Sequence, residues 1–283
     1  DLPALPSFTG GLVGYFGYDA VRYIEPRLNN APEADPVGLP DIWMMLSKTV
    51  IVFDNLKDTL FLIVHADVND SEAYNKAQQQ LDHLEALLAE PIRLQAQKHT
   101  APHFESLTGK DKSLESIETV KEYIRAGDVM QVVPGHRMVS DFDGEPLQVY
   151  RALRHLNPSP YLFFFDYGDY KLIGSSPESQ LIIKNGKAII HPIAGTFKRT
   201  GNVEKDLQSA EELKKDPKEN AEHTMLVDLA RNDLSIHGKN TYVSKLKEIQ
   251  LFSHVIHMVS EVVSDVKENQ NPYEMIATTF PQG

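Results

Sequence analysis

Cysteine is absent from the 283 residues. That excludes disulfides, thiolate nucleophiles and cysteine-ligated zinc, and it is compatible with a reducing cytoplasm, the compartment expected for the chain. Positive charge is in short supply. Twenty-eight Lys and Arg face forty Asp and Glu, a net charge of −12, so the long-range attraction of a general nucleic-acid binder is missing and any anionic ligand must be held by local cations. No apolar run is long enough to span a bilayer, and the segment after Asp1 has no basic region followed by an apolar stretch. Neither a nucleic-acid nor a membrane partner is expected. There is also no initiator Met, and the ending at Phe280-Pro281-Gln282-Gly283 suggests a piece of a longer polypeptide.

What is present is globular: 41% hydrophobic residues, enough core for one large or two ordinary domains, without internal repeat or low-complexity tract. Gly10–Asp19 reads as a Gly-rich strand. No helix pattern follows it, so it is not a dinucleotide loop, and Pro26, Pro32, Pro36 and Pro40 break the next stretch. Ile42–Phe53 and Thr59–Ala66 read as paired strands. Ala73, Ala77, Leu81, Leu84 and Leu88 recur at helical spacing. The polar stretch 95–112 is the expected linker, dividing an N-terminal sheet portion (1–94) from a larger portion (113–283).

Beyond it, a helix ending at Gly127 and strands at Val129–Val139, Tyr161–Asp166, Tyr170–Ser175, Gln180–Lys184, Lys187–Ile193 and Val255–Val263 are predicted. The Asn185-Gly186 pair marks a hairpin. Adjacent hairpins imply an antiparallel sheet, with helices at 146–156, 204–215 and 217–233 over one face and a further helix opening at Asn271. The predicted class is α+β.

Helix 217–233 carries the densest chemistry. Asp216 suits its N-cap, Pro217 its first position, and Glu219 the acidic place of a capping box. Glu219 and Glu222 share a face, and their repulsion costs about 0.2–0.5 kcal/mol, which a divalent cation would reverse. Most such pairs are simply solvated helix surface. Likewise Glu178 reads as a turn acid, His257 as a histidine in an apolar strand, and Thr196 as a β-branched strand residue. His254, three residues from His257, should face the opposite side of that strand.

Six peptides, Gly127–Val133, Asn157–Tyr161, Gly174–Glu178, Pro192–Thr196, Glu219–Asp233 and Ser253–Ser260, resemble in order the motifs of the chorismate-utilising enzymes. The resemblance implies antiparallel sheets packed as a sandwich with helices outside, and chorismate as substrate. It implies Mg2+ held by Glu219 and Glu222 together with a substrate carboxylate. Glu178 would protonate the departing C4 hydroxyl, which requires a raised pKa, and His257 would assist elimination of pyruvate. Thr196 would help to position the substrate.

Two positions select the anthranilate-forming branch. Relatives that use water as nucleophile carry a lysine where this chain has Gln131, and relatives that make aminodeoxychorismate typically carry a nucleophilic lysine in place of Ala194. Ammonia is expected from a glutaminase subunit, component II, because this chain has no catalytic cysteine. Asn157, Pro158, Ser159 and Tyr161 match part of a tryptophan feedback site. The departures are Phe197–Thr200, Gly135-His136 and Thr224, together with the lack of the family's later segment, which bears a second metal-binding glutamate and the groups that grip the substrate carboxylates. The chain by itself is therefore expected to be inactive. The alternatives are an aminodeoxychorismate-type enzyme and a non-catalytic assembly module.

Overall fold

The computed structural model describes residues 5–30, 35–92 and 101–280. Pro32, residues 95–100 of the expected linker and the terminal Pro281–Gly283 lie outside them. In chain order the elements are β1 (Gly11–Phe16), α1 (Val21–Ile24), β2 (Ile42–Ser47), β3 (Thr49–Asp54), β4 (Thr59–Val64) and α2 (Ala73–Ala89). Then come β5 (Glu105–Ser106), α3 (Lys110–Ala126), β6 (Met138–Val139), α4 (Pro146–Leu156), β7 (Tyr161–Asp166), β8 (Lys171–Ser176), β9 (Ile182–Lys184) and β10 (Lys187–Ile190). The last are β11 (Ile193–Lys198), α5 (Val203–Lys215), α6 (Pro217–His237), β12 (Gly238–Leu251), β13 (Val255–Val266) and α7 (Pro272–Thr278). Every strand pair among the described residues is antiparallel, so the chain has the α+β class expected of it.

Two compact units are formed, one from 1–91 with 150–283 and the other from 92–149. The smaller unit contains α3, closed by Gly127 in the left-handed conformation (φ 83°), and the short β5–β6 pair. The strand expected at Val129–Val139 is reduced to Met138–Val139. Its apolar residues favour a strand, but Pro134 lacks the N–H a ladder needs, and only Glu105 and Ser106 pair with this segment.

The larger unit is organised around β13, which pairs with β10, β11 and β12. Along β13 the alternate residues Ile256, Met258, Ser260, Val262 and Ser264 are almost fully buried. Period-two burial of this kind places them on one sheet face. Leu213 of α5 joins Ile256 and Met258 in one apolar cluster, and Leu234 of α6 joins Val262, Ile190 and Met275 in another. Each fully buried leucine contributes about 1.5–3 kcal/mol.

The segment expected as one strand, Ile42–Phe53, is divided at Lys48. Its first half pairs with β1 and its second with β4. Strand β12 was not anticipated. Its alternation is broken by three register shifts and by Asn240 and Lys247 at positive φ.

Candidate functional site

Strand β11 gathers the candidate residues along its length. At Ile193 the backbone N–H donates to the Glu178 carboxylate, which opposes but does not cancel the rise that burial imposes on its pKa. Glu178 sits in the β8–β9 connection, where its own N–H donates to Ser176 Oγ at 3.3 Å. It lines a small recess with Ile190, Pro192, Leu226 and Leu229. Asp233 closes the same recess, and burial pushes its carboxyl up to about 6.

The next residue, Ala194, is buried. Beside it lies His223, fully buried on α6, with Nε2 2.7 Å from Ser260 Oγ. The His223 Nδ1 is turned toward the Ala194 carbonyl without closing a well-formed bond. Ser260 Oγ also accepts the N–H of Lys247 at 2.9 Å, and Lys247 Nζ reaches Asn220 Oδ1 at 2.8 Å. The polar face of α6 is thus anchored to β12 and β13.

Gly195 has φ 80° and forms a bulge at which the β11–β13 register shifts. A side chain there would meet Leu213 Cδ1 at 3.2 Å and Glu219 Cβ at 3.5 Å. The start of α6 therefore lies against the bulge. Asp216 caps that helix by accepting from the N–H groups of Lys218 and Glu219, both at 2.9 Å. The reciprocal bond expected from Glu219 is not made, since the Asp216 N–H donates to Leu213 O at 3.3 Å. Freed from capping, the Glu219 carboxylate is 17% exposed and 3.5 Å from Lys218 Nζ. Glu222 is half-buried one turn on.

At Thr196 the hydroxyl lies 3.0 Å from His257 Nδ1, across the register pair that the bulge creates. Burial lowers the pKa of His257, and a hydrogen bond to the Gly195 backbone opposes the shift. His254 is not a strand residue. It belongs to the turn before β13 and bonds Leu156 O through Nε2 at 2.7 Å, so chain geometry in the turn, not strand alternation, sets its direction.

Gln131 is exposed on irregular backbone of the smaller unit. Asn157 accepts from Ser175 Oγ at 2.8 Å through its carbonyl, Pro158 is exposed, Ser159 is half-buried, and Tyr161 opens β7 opposite Ser176. The bulge at Gly195, the burial of His223 and the half-buried carboxyl of Asp233 in its recess had no clear signal in the sequence. The Ala-Gly-Thr and Arg-Asn-Asp peptides are the only local hints of them.

Among the described residues, no group of three or more His, Cys, Asp or Glu is placed to hold a metal ion. Glu219 and Glu222 offer two hard carboxylates, which fits Mg2+, an ion commonly held by one or two carboxylates with water and substrate oxygens completing its shell.

The profile of the chorismate binding enzyme family matches residues 2–283. The chain belongs to this family. Anthranilate synthase component 1 of Acinetobacter calcoaceticus is 63% identical to it over 290 positions, covering all of the chain and 58% of the relative. The corresponding protein of Pseudomonas aeruginosa is 41% identical, with coverage of 100% and 59%. The crystal structure of anthranilate synthase component I from Streptococcus pneumoniae superposes with a TM-score of 0.89 at 33% identity, over the whole chain and 63% of that protein. MenF, the menaquinone-specific isochorismate synthase of Escherichia coli, shares the fold, with a TM-score of 0.66 at 16% identity. The chain thus spans less than two thirds of the length of these anthranilate synthase relatives.

Proposed function

We propose that the chain is the chorismate-binding core of an anthranilate synthase large component, a cytoplasmic enzyme that aminates chorismate with ammonia and eliminates pyruvate to form anthranilate. The observation that carries this reading is the convergence on β11 of Glu178 at Ile193, Glu219 at Gly195 and His257 at Thr196. Identity of 63% to an anthranilate synthase component 1 supports this reaction over other uses of the fold.

Glu178 is the proton donor to the departing C4 hydroxyl. Its burial raises its pKa, so more of it remains protonated near neutrality than an exposed glutamate would. His257, held by the Thr196 hydroxyl, assists loss of pyruvate after ammonia has added at C2. Glu219 and Glu222 would hold Mg2+, which when bound would supply positive charge against a substrate carboxylate. Gln131 leaves the nucleophile without a lysine base, as suits ammonia, and Ala194 offers no amine for covalent attack. Ammonia comes from a glutaminase subunit, and Asn157, Pro158, Ser159 and Tyr161 contribute to a tryptophan effector site.

The test is to purify the gene product that contains this chain and assay it with chorismate, ammonium and magnesium, identifying the product by mass. Anthranilate supports the proposal. Isochorismate or aminodeoxychorismate as the only product overturns it.

A further inference from the structure

The turn between β12 and β13 is held from three sides. Phe252 N–H donates to Val255 O at 2.9 Å, which closes the turn. The Arg199 backbone N–H donates to His254 O at 2.9 Å, and Arg199 Nη1 donates to Phe252 O at 2.8 Å. The His254 ring bonds the last carbonyl of α4, Leu156 O.

Arg199 does not hold this position unaided. Its Nε donates to Asp206 Oδ2 at 2.9 Å, and Asp206 is only 1% exposed. The other carboxylate oxygen of Asp206 accepts from Thr200 N at 2.7 Å and Thr200 Oγ1 at 2.9 Å. The Thr200 backbone N–H foremost, and Arg199 with it, hold this carboxyl below the usual carboxylate range against the upward push of burial. A buried carboxylate with its lone pairs filled in this way is a rigid anchor, because releasing it would strand a desolvated charge.

What the anchored turn presents is the ring of Phe252, whose edge meets the imidazole of His257 at a centroid distance of 5.1 Å and an interplanar angle of 72°. An edge-to-face contact of this kind is directional. The imidazole is hydrogen-bonded to Thr196 and to the Gly195 backbone, and the Phe252 ring limits how far it can tilt about those bonds.

We propose that Arg199, braced by Asp206, is a positioning residue that sets the orientation of the His257 imidazole through Phe252. This rests on the reading of His257 as a group that acts on the substrate ring. Aligned reacting groups carry much of a catalytic rate, so a small loss of alignment is costly.

Four variants of the gene product containing this chain test it: Phe252→Leu, Arg199→Gln, the two combined, and Arg199→Lys. Thermal unfolding establishes that each is folded, and Arg199→Lys, which keeps the charge but not the forked geometry, serves as a partial rescue. The first readout is the 15N spectrum of the His257 imidazole. It is expected to show a changed tautomer balance in Phe252→Leu and Arg199→Gln and an intermediate one in Arg199→Lys. The second is turnover: kcat falls on the order of tenfold to a hundredfold, KM for chorismate changes less than about twofold, and the double variant is no worse than either single one. An unchanged imidazole spectrum in folded variants overturns the proposal, as does a purely additive double variant. Absence of anthranilate from the unmutated protein instead overturns the functional reading, and the imidazole spectrum still decides the positioning claim.

Discussion

Thr196 Oγ1 and His257 Nδ1 lie 3.0 Å apart on neighbouring strands, a pairing that exists because the bulge at Gly195 shifts the β11–β13 register by one residue. Without the shift the two side chains would not be opposite one another. The contact joins a hydroxyl and an imidazole at the centre of the proposed reaction. His257→Met is therefore expected to slow pyruvate elimination more than amination, by on the order of a hundredfold, so that aminated intermediate accumulates in rapid-quench samples. His254→Met should lose the bond to Leu156 O and some stability but no intermediate should build up. Equal accumulation in both variants would remove the special role of His257.

Glu178 gives a prediction in pH. Burial raises its pKa, so the protonated donor is lost as pH rises through that raised value, and kcat should fall on the alkaline side. Glu178→Gln cannot donate and should lose on the order of a hundredfold or more in kcat, with the alkaline limb attributable to this group gone. A variant that retains the limb would assign it to another residue.

Asp233 bears on stability. Its pKa is raised from 3.8 to about 6, so the folded state is favoured while the carboxyl is protonated and is penalised as pH rises through that window. At full burial such a rise corresponds to about 3 kcal/mol, and partial exposure reduces it to about 1–2 kcal/mol. Asp233→Asn should accordingly stabilise the protein by that amount at pH 7 in urea titrations and by almost nothing at pH 4. A gain that is the same at both pH values would contradict the burial argument.

At Gly195, φ 80° strains any residue with a side chain, and an added methyl group would press on Leu213 Cδ1 at 3.2 Å while making ordinary contact with Glu219 Cβ at 3.5 Å. Gly195→Ala is expected to cost about 1–3 kcal/mol in chemical unfolding and, by shifting the strained bulge against which α6 begins, to move Glu219 with it. Its affinity for magnesium, read by isothermal titration, should fall further than stability alone predicts. Wild-type affinity would show that the bulge does not govern the carboxylate.

Glu222→Gln should leave the melting temperature within about 2 °C of the parent while lowering turnover at saturating chorismate, because a half-buried helix residue that makes no ion pair among the described residues contributes little to folding. Unchanged magnesium dependence would exclude it from the site. The 283-residue chain purified alone should form no anthranilate even in excess ammonium, and normal turnover by it would show that Glu219 and Glu222 suffice without the additional length found in relatives.

Local signals carried most of the fold. The cap at Asp216, the Asn185-Gly186 hairpin and the periodic helices are encoded within a few residues of themselves, so they are legible without knowledge of partners. Strand β12 was missed for the opposite reason. Its bulges at Asn240 and Lys247 interrupt the alternation, and only pairing with β13 makes the segment a strand. Val129–Val139 erred the other way, with strand propensity that found little to pair with.

The order of the motifs determined the family, because residue types in series are a property of the sequence itself. That Glu178, Glu219 and His257 converge on three nearly adjacent residues of β11 was decided by tertiary structure alone. The convergence depends on a bulge at one glycine and on a helix start lying against it. Burial is a property of the packed chain, and it is burial that raises Glu178, lowers His257 and fixes Asp206 in place.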